Sequence, residues 1–106
     1  MIQAPDKGAE VAEAVKPLLL FFYSPTEGYS RRIEAFIAQV LQRRQNHNAF
    51  RLKRIDVAER PDLAERFRVS TIPSLVVVSN QRISARIERP RGCAEIKQTL
   101  EPWLRA

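Results

Sequence analysis

Few side chains in this sequence could carry a reaction, and the way they are distributed removes most of the usual chemistries. In 106 residues there is one cysteine, Cys93, and one histidine, His47. Disulfide exchange through an internal dithiol needs one thiol to attack and a second to resolve, so a chain with a single cysteine cannot perform it alone. One cysteine and one histidine also leave no Cys/His cluster for a structural zinc ion, and no metal or other cofactor is expected. The run Thr26-Glu27-Gly28-Tyr29-Ser30 gathers a carboxylate, a phenol and a hydroxyl just ahead of a long amphipathic stretch. Ser30 has no general base near it, because His47 lies at the far end of that stretch, so a nucleophilic serine is not expected.

Glu27 carries two compatible readings. Ser24-Pro25-Thr26-Glu27 matches a capping box, with Ser24 at the N-cap, Pro25 at the first helical position and Glu27 at the third. Alternatively, Glu27 presents its charge to a basic partner peptide. Cys93 also has two. It is a small residue at a helix start, or a lone thiol whose pKa falls at that position and which forms mixed disulfides.

The elements that must position these groups can be read from apolar spacing. Residues 6–15 form a short helix with Asp6 as N-cap and Pro17 beyond its end. Residues 18–23 are continuously apolar, as a strand covered on both faces would be, and belong at the centre of a sheet. Ile33, Phe36, Ile37, Val40 and Leu41 recur at helical spacing, with Arg31, Arg32, Arg43 and Arg44 on the other face and residues 45–48 as the exit. Residues 50–57 read as a strand whose alternation slips between Leu52 and Ile55, to be absorbed by a bulge or by burial at one end. Residues 60–67 form a short helix, with Pro61 in its first turn and Asp62 four residues before Arg66. Residues 74–78 and 82–88 flank Ser79-Asn80-Gln81 as an antiparallel hairpin. In its second strand Ile83, Ala85 and Ile87 face the core, and Arg82, Ser84, Arg86 and Glu88 protect an edge. A last helix from about residue 93 to 104 buries Ile96, Leu100 and Leu104 or Trp103, with Pro102 weakening its end. The alternation is α/β, in one domain over residues 1–106.

Apolar residues make up 44% of the chain, enough for one core. The longest apolar run is far short of the roughly 18 residues of a membrane span, so no membrane association and a cytoplasmic location are expected. The net charge of +6 permits weak, salt-sensitive attraction to acidic partners.

Phe22-Tyr23 before the loop, Ile55-Asp56-Val57, Pro61-x-Leu63-Ala64 and Thr71-Ile72-Pro73-Ser74, in this order of elements, resemble the thioredoxin family over about residues 9–104. The resemblance implies a four-stranded mixed sheet flanked by helices and a cis peptide before Pro73, against the alternative of an ordinary trans proline opening a strand. It places Glu27 and Ser30 at the family's two redox cysteines. Phe21 and Leu52 take the places of the family's buried Asp and its Lys, so a site of that kind has been emptied of its chemistry. It further implies a surface that grips an extended peptide, formed here by Tyr23, Thr26, Glu27, Gly28, Tyr29, Ile72, Pro73 and Gly92. The function expected is that of a redox-inactive thioredoxin-like protein, an adaptor or chaperone-like module binding another protein or an extended peptide. The alternatives are a monothiol oxidoreductase acting through Cys93 and a basic nucleic-acid binder. The last lacks aromatic interleaving and any nucleic-acid motif.

Overall fold

Strand β1 (Leu18–Tyr23) pairs with a neighbour on each side and is packed over on both faces, and the covering of both faces is why its sequence shows no polar alternation. In the computed structural model, which describes residues 16–42 and 49–104, it runs parallel to β2 (Arg51–Asp56) and antiparallel to β3 (Ser74–Ser79). Strand β4 (Arg82–Glu88) completes a mixed sheet in the order β2-β1-β3-β4. The expected helix over 6–15, His47, Arg43, Arg44 and the exit at 45–48 lie outside the described residues.

Two layers cover the sheet. On one face Leu19, Phe21, Leu75, Val77 and Ile87 pack with Ile33, Ile37 and Val40 of α1 (Gly28–Leu41), and with Ile96 and Leu100 of α3 (Cys93–Leu100). On the other, Leu20, Phe22, Ile55 and Val76 meet Leu63, Ala64 and Phe67 around α2 (Pro61–Arg66). The four central side chains of β1 are at most 5% exposed, each burial stabilising by about 2 kcal/mol.

Five local expectations resolve in particular ways. The register of β2 on β1 is unbroken, so the slip in alternation is absorbed by burial at one end: Ile55 is buried beside Phe22, and Leu52, beside Leu19, is left 44% exposed. In the hairpin, Asn80 and Gln81 both have positive φ, as a two-residue type I′ turn requires. The pairing shifts at Val77/Val78, however, leaving Ser84 as an extra residue. That bulge turns Ile83 away from the face of Ala85 and Ile87, and it is 47% exposed instead of core-facing. Arg86 is not a free edge charge, since it donates to the Phe67 and Arg68 carbonyls at the end of α2. Asp62 pairs backwards with Arg60 rather than forwards with Arg66, because the Arg60 fork meets both carboxylate oxygens, Nε to Oδ1 at 3.1 Å and Nη2 to Oδ2 at 2.9 Å. Helix α3 stops at Leu100, short of the expected 104, and passes into a 3₁₀ turn over Glu101–Trp103, because Pro102 has no N–H to donate. No helix among the described residues is long and apolar enough to cross a membrane.

Candidate functional site

The topology brings three connections to one end of the sheet. Because β3 is antiparallel to β1, the start of β3 lies beside the end of β1, with Ser74 opposite Phe22. Ser74 also pairs with Glu88, which delivers the end of β4 to the same place. The loop entering α1, the Ile72–Pro73 segment, whose peptide is cis, and the link from β4 to α3 therefore converge there.

Helix α1 begins later than the capping box predicts. Glu27 is itself the N-cap, in extended conformation, and Gly28 is the first helical residue. Ser24 to Glu27 form a turn, closed by the Glu27 N–H on the Ser24 carbonyl at 3.1 Å, and Ser24 Oγ is engaged with Thr26. The Ser24 N–H that Glu27 would have accepted is taken by Ser30 Oγ at 3.3 Å. This leaves the carboxylate for stronger donors.

Those donors come from two elements. Ser30 Oγ, on the first turn of α1 and 2% exposed, donates to Glu27 Oε1 at 2.9 Å. Arg89 Nη1, from beyond β4, donates to Glu27 Oε2 at 3.1 Å and to the Ile72 carbonyl at 2.7 Å. The Ser30 hydrogen bond, followed by that of Arg89, holds the Glu27 carboxyl below its ordinary value. Its charge is met within the chain, which argues against Glu27 standing free for a basic peptide.

Arg89 is held from several sides. Its N–H donates to the Pro73 carbonyl at 2.9 Å, its guanidinium lies 4.8 Å over the ring of Tyr29, and the Tyr29 hydroxyl donates to the carbonyl of Pro90. The backbone at Arg89 has φ 49°, a left-handed conformation that costs a non-glycine residue about 1 kcal/mol. These contacts offset that strain and tie Glu27, Tyr29, Ser30, Ile72 and Pro73 into one cluster.

Other expected surface residues fall elsewhere or play a lesser part. Tyr23 stacks on Phe21 with ring centroids 5.4 Å apart, and Arg54 lies 5.3 Å over its ring. It lines a hollow with Ser24, Pro25, Ser30, Arg31, Glu34 and Arg54, adjoining the cluster through Ser30, with Arg54 and Glu34 joined at 2.8 Å. Thr26 is exposed and bonded only to Ser24. Gly28 and Gly92 have neither positive φ nor any neighbour within 4 Å of a built Cβ, so nothing here demands glycine at either. Gly92 serves as N-cap of α3, where Glu95 Oε1 accepts the Arg91 N–H at 2.7 Å. Cys93 is half-buried against the α1-side core. Among the described residues no cluster of His, Cys, Asp or Glu could hold a metal ion.

A family model described as Thioredoxin matches residues 5–102. The chain belongs to the thioredoxin family. Solved thioredoxins share its fold: one is the germline-specific thioredoxin Deadhead from Drosophila melanogaster, 24% identical with a TM-score of 0.67, the match covering 87% of this chain and 83% of that one. A mutant thioredoxin from Halobacterium salinarum is 18% identical with a TM-score of 0.73, over 99% and 89% of the two chains. Trxlp from Edwardsiella tarda is 17% identical with a TM-score of 0.72, over 90% and 92%. No curated protein matches the sequence. This member of the thioredoxin family has a single cysteine and therefore no dithiol pair.

The sequence reading did not single out Arg89 or Pro90. A signal for them exists: in an antiparallel hairpin, the residue that follows the second strand lies opposite the residue that precedes the first. Counting outward from the Asn80-Gln81 turn, with one residue for a bulge, places Arg89 against Pro73.

Proposed function

We propose that this thioredoxin-like protein is a redox-inactive, protein-binding module, an adaptor or chaperone-like component, that meets its partner through the surface around Glu27, Tyr29 and the Ile72–Pro73 segment. One observation supports the reading most directly. At the two positions that the family resemblance assigns to the redox cysteines, a carboxylate and a hydroxyl are hydrogen-bonded to each other at 2.9 Å and locked to the Ile72 carbonyl through Arg89. A residue set with that many mutual contacts preserves a shaped surface without any electron-transfer chemistry. Tyr29, half-buried with a fixed hydroxyl, gives that surface a rigid aromatic contact of the kind that dominates interfaces.

Two measurements test it together. Purified wild type and Cys93→Ser are expected to show equal, background rates of insulin reduction. Affinity capture from the source organism is expected to retain a partner with wild type and lose it with Tyr29→Ala. Sustained turnover abolished by Cys93→Ser would replace this reading with monothiol chemistry, and a partner retained by Tyr29→Ala and Glu27→Lys would move the binding site elsewhere.

A further inference from the structure

The contacts that hold the Arg89 guanidinium leave its best edge unspent. An arginine offers five N–H donors in a planar fork. One nitrogen, Nη1, serves both Glu27 Oε2 at 3.1 Å and the Ile72 carbonyl at 2.7 Å. Nε and Nη2 donate to no group among the described residues, and the side chain is 49% accessible. The same edge is in use elsewhere in the chain: Arg60 Nε and Nη2 meet Asp62 Oδ1 and Oδ2 at 3.1 and 2.9 Å. That fork-to-fork pairing is the strong, directional way an arginine binds a carboxylate.

We infer that the Nε–Nη2 edge of Arg89 is a recognition site for a carboxylate, supplied by an Asp or Glu side chain on an extended segment of the partner protein. The inference rests on the protein-binding reading above and names the chemistry of that partner. Three features carry it. The guanidinium is pre-organised by the Tyr29 ring beneath it at 4.8 Å and by the Arg89 N–H on Pro73, so little rotamer freedom is left to lose on binding. Among the described residues the one carboxylate bonded to it, Glu27, is committed through both oxygens to Ser30 and Nη1 and makes no bond to the Nε–Nη2 edge. Exposed Arg91 follows two residues later and the net charge of +6 attracts acidic partners over longer range, while Glu88 and Glu95 nearby balance the local charge, so that discrimination falls to the directional fork of Arg89. The Ile72 carbonyl, in contrast, is already bonded to Arg89, so a partner arriving here is read by a side chain rather than by backbone pairing at that carbonyl.

The test uses a blocked octapeptide of alternating Glu and Ala, and its Gln counterpart, titrated into ¹⁵N-labelled protein while the arginine Nε–H and backbone amide resonances are followed. The Glu peptide is expected to move the Arg89 Nε–H and Tyr29 amide signals, and the Gln peptide to leave them in place. Affinity is expected to fall about tenfold or more in Arg89→Gln and by less in Arg89→Lys, which keeps the charge and loses the fork. Amide spectra of native dispersion in Arg89→Lys separate lost recognition from lost folding. Shifts confined to Arg51, Lys53 and Arg54, equal binding to Arg89→Gln, or no shift at millimolar peptide would each overturn the inference. In the partner capture, loss with Tyr29→Ala but retention with Arg89→Gln would remove this inference and keep the proposed binding surface, whereas retention with both would overturn that surface as well and move the binding site elsewhere.

Discussion

At Glu27 the side chain has neighbours that favour its ionised form, and this has a defined pH signature. Because Ser30 and Arg89 hold its pKa in the folded protein below the ordinary value of 4.5, the stability it contributes is complete above that value. It fades as pH falls through the depressed folded-state pKa, where protonation ends the advantage of the folded state. Thermal melts of wild type and Glu27→Gln are therefore expected to differ by a constant small amount from neutral pH down to the mid-4s, and to converge in more acidic buffer. Divergence on acidification would contradict the assigned hydrogen bonds. The glycine one residue later makes an independent prediction. Gly28 opens α1 without positive φ and with nothing near a built Cβ, so Gly28→Ala is expected to leave the melting temperature unchanged or raise it. A clear drop would mean that the loop needs glycine for a reason outside its backbone geometry.

For the elements, legibility followed the range of the interaction that decides each feature. The continuous apolar run of β1 and the i, i+3, i+4 spacing of Ile33, Phe36, Ile37, Val40 and Leu41 are local patterns, and both elements form where those patterns lie. The bulge at Ser84, the exposure of Ile83 and the placement of Arg89 depend on cross-strand pairing, which a one-residue slip reverses and no local pattern records. The same distinction separates Phe21 from Leu52, which the sequence treats as an equivalent apolar pair. Phe21 is fully buried on the central strand, and Leu52 is 44% exposed on β2, which pairs only with β1 among the described strands. Phe21→Ala is expected to cost about 3–5 kcal/mol by chemical denaturation, and Leu52→Ala less than about 1 kcal/mol. Equal costs would mean that Leu52 is covered in solution.

Across the whole molecule, the scaffold and the chemistry are separable: the thioredoxin architecture is present in a chain with a single cysteine, with a carboxylate and a hydroxyl where the family resemblance places the redox pair. If the single-cysteine loop differs from a dithiol site in those side chains and not in a distorted backbone, the geometry for a vicinal disulfide should still be present. Glu27 is the N-cap of α1 and Ser30 its third helical residue, so their Cα atoms lie on one helical turn at roughly 5–6 Å, inside the range a disulfide spans. The double variant Glu27→Cys/Ser30→Cys in a Cys93→Ser background is expected to form an intramolecular disulfide under mild oxidation. A monomer with no titratable thiol, which recovers both on reduction, is the diagnostic result. Insulin turnover by that variant is expected to remain slow, because Phe21 offers no ionisable group to move a proton behind the new pair. Formation of disulfide-linked dimers alone would place the loss in the backbone of the loop rather than in the residues it displays.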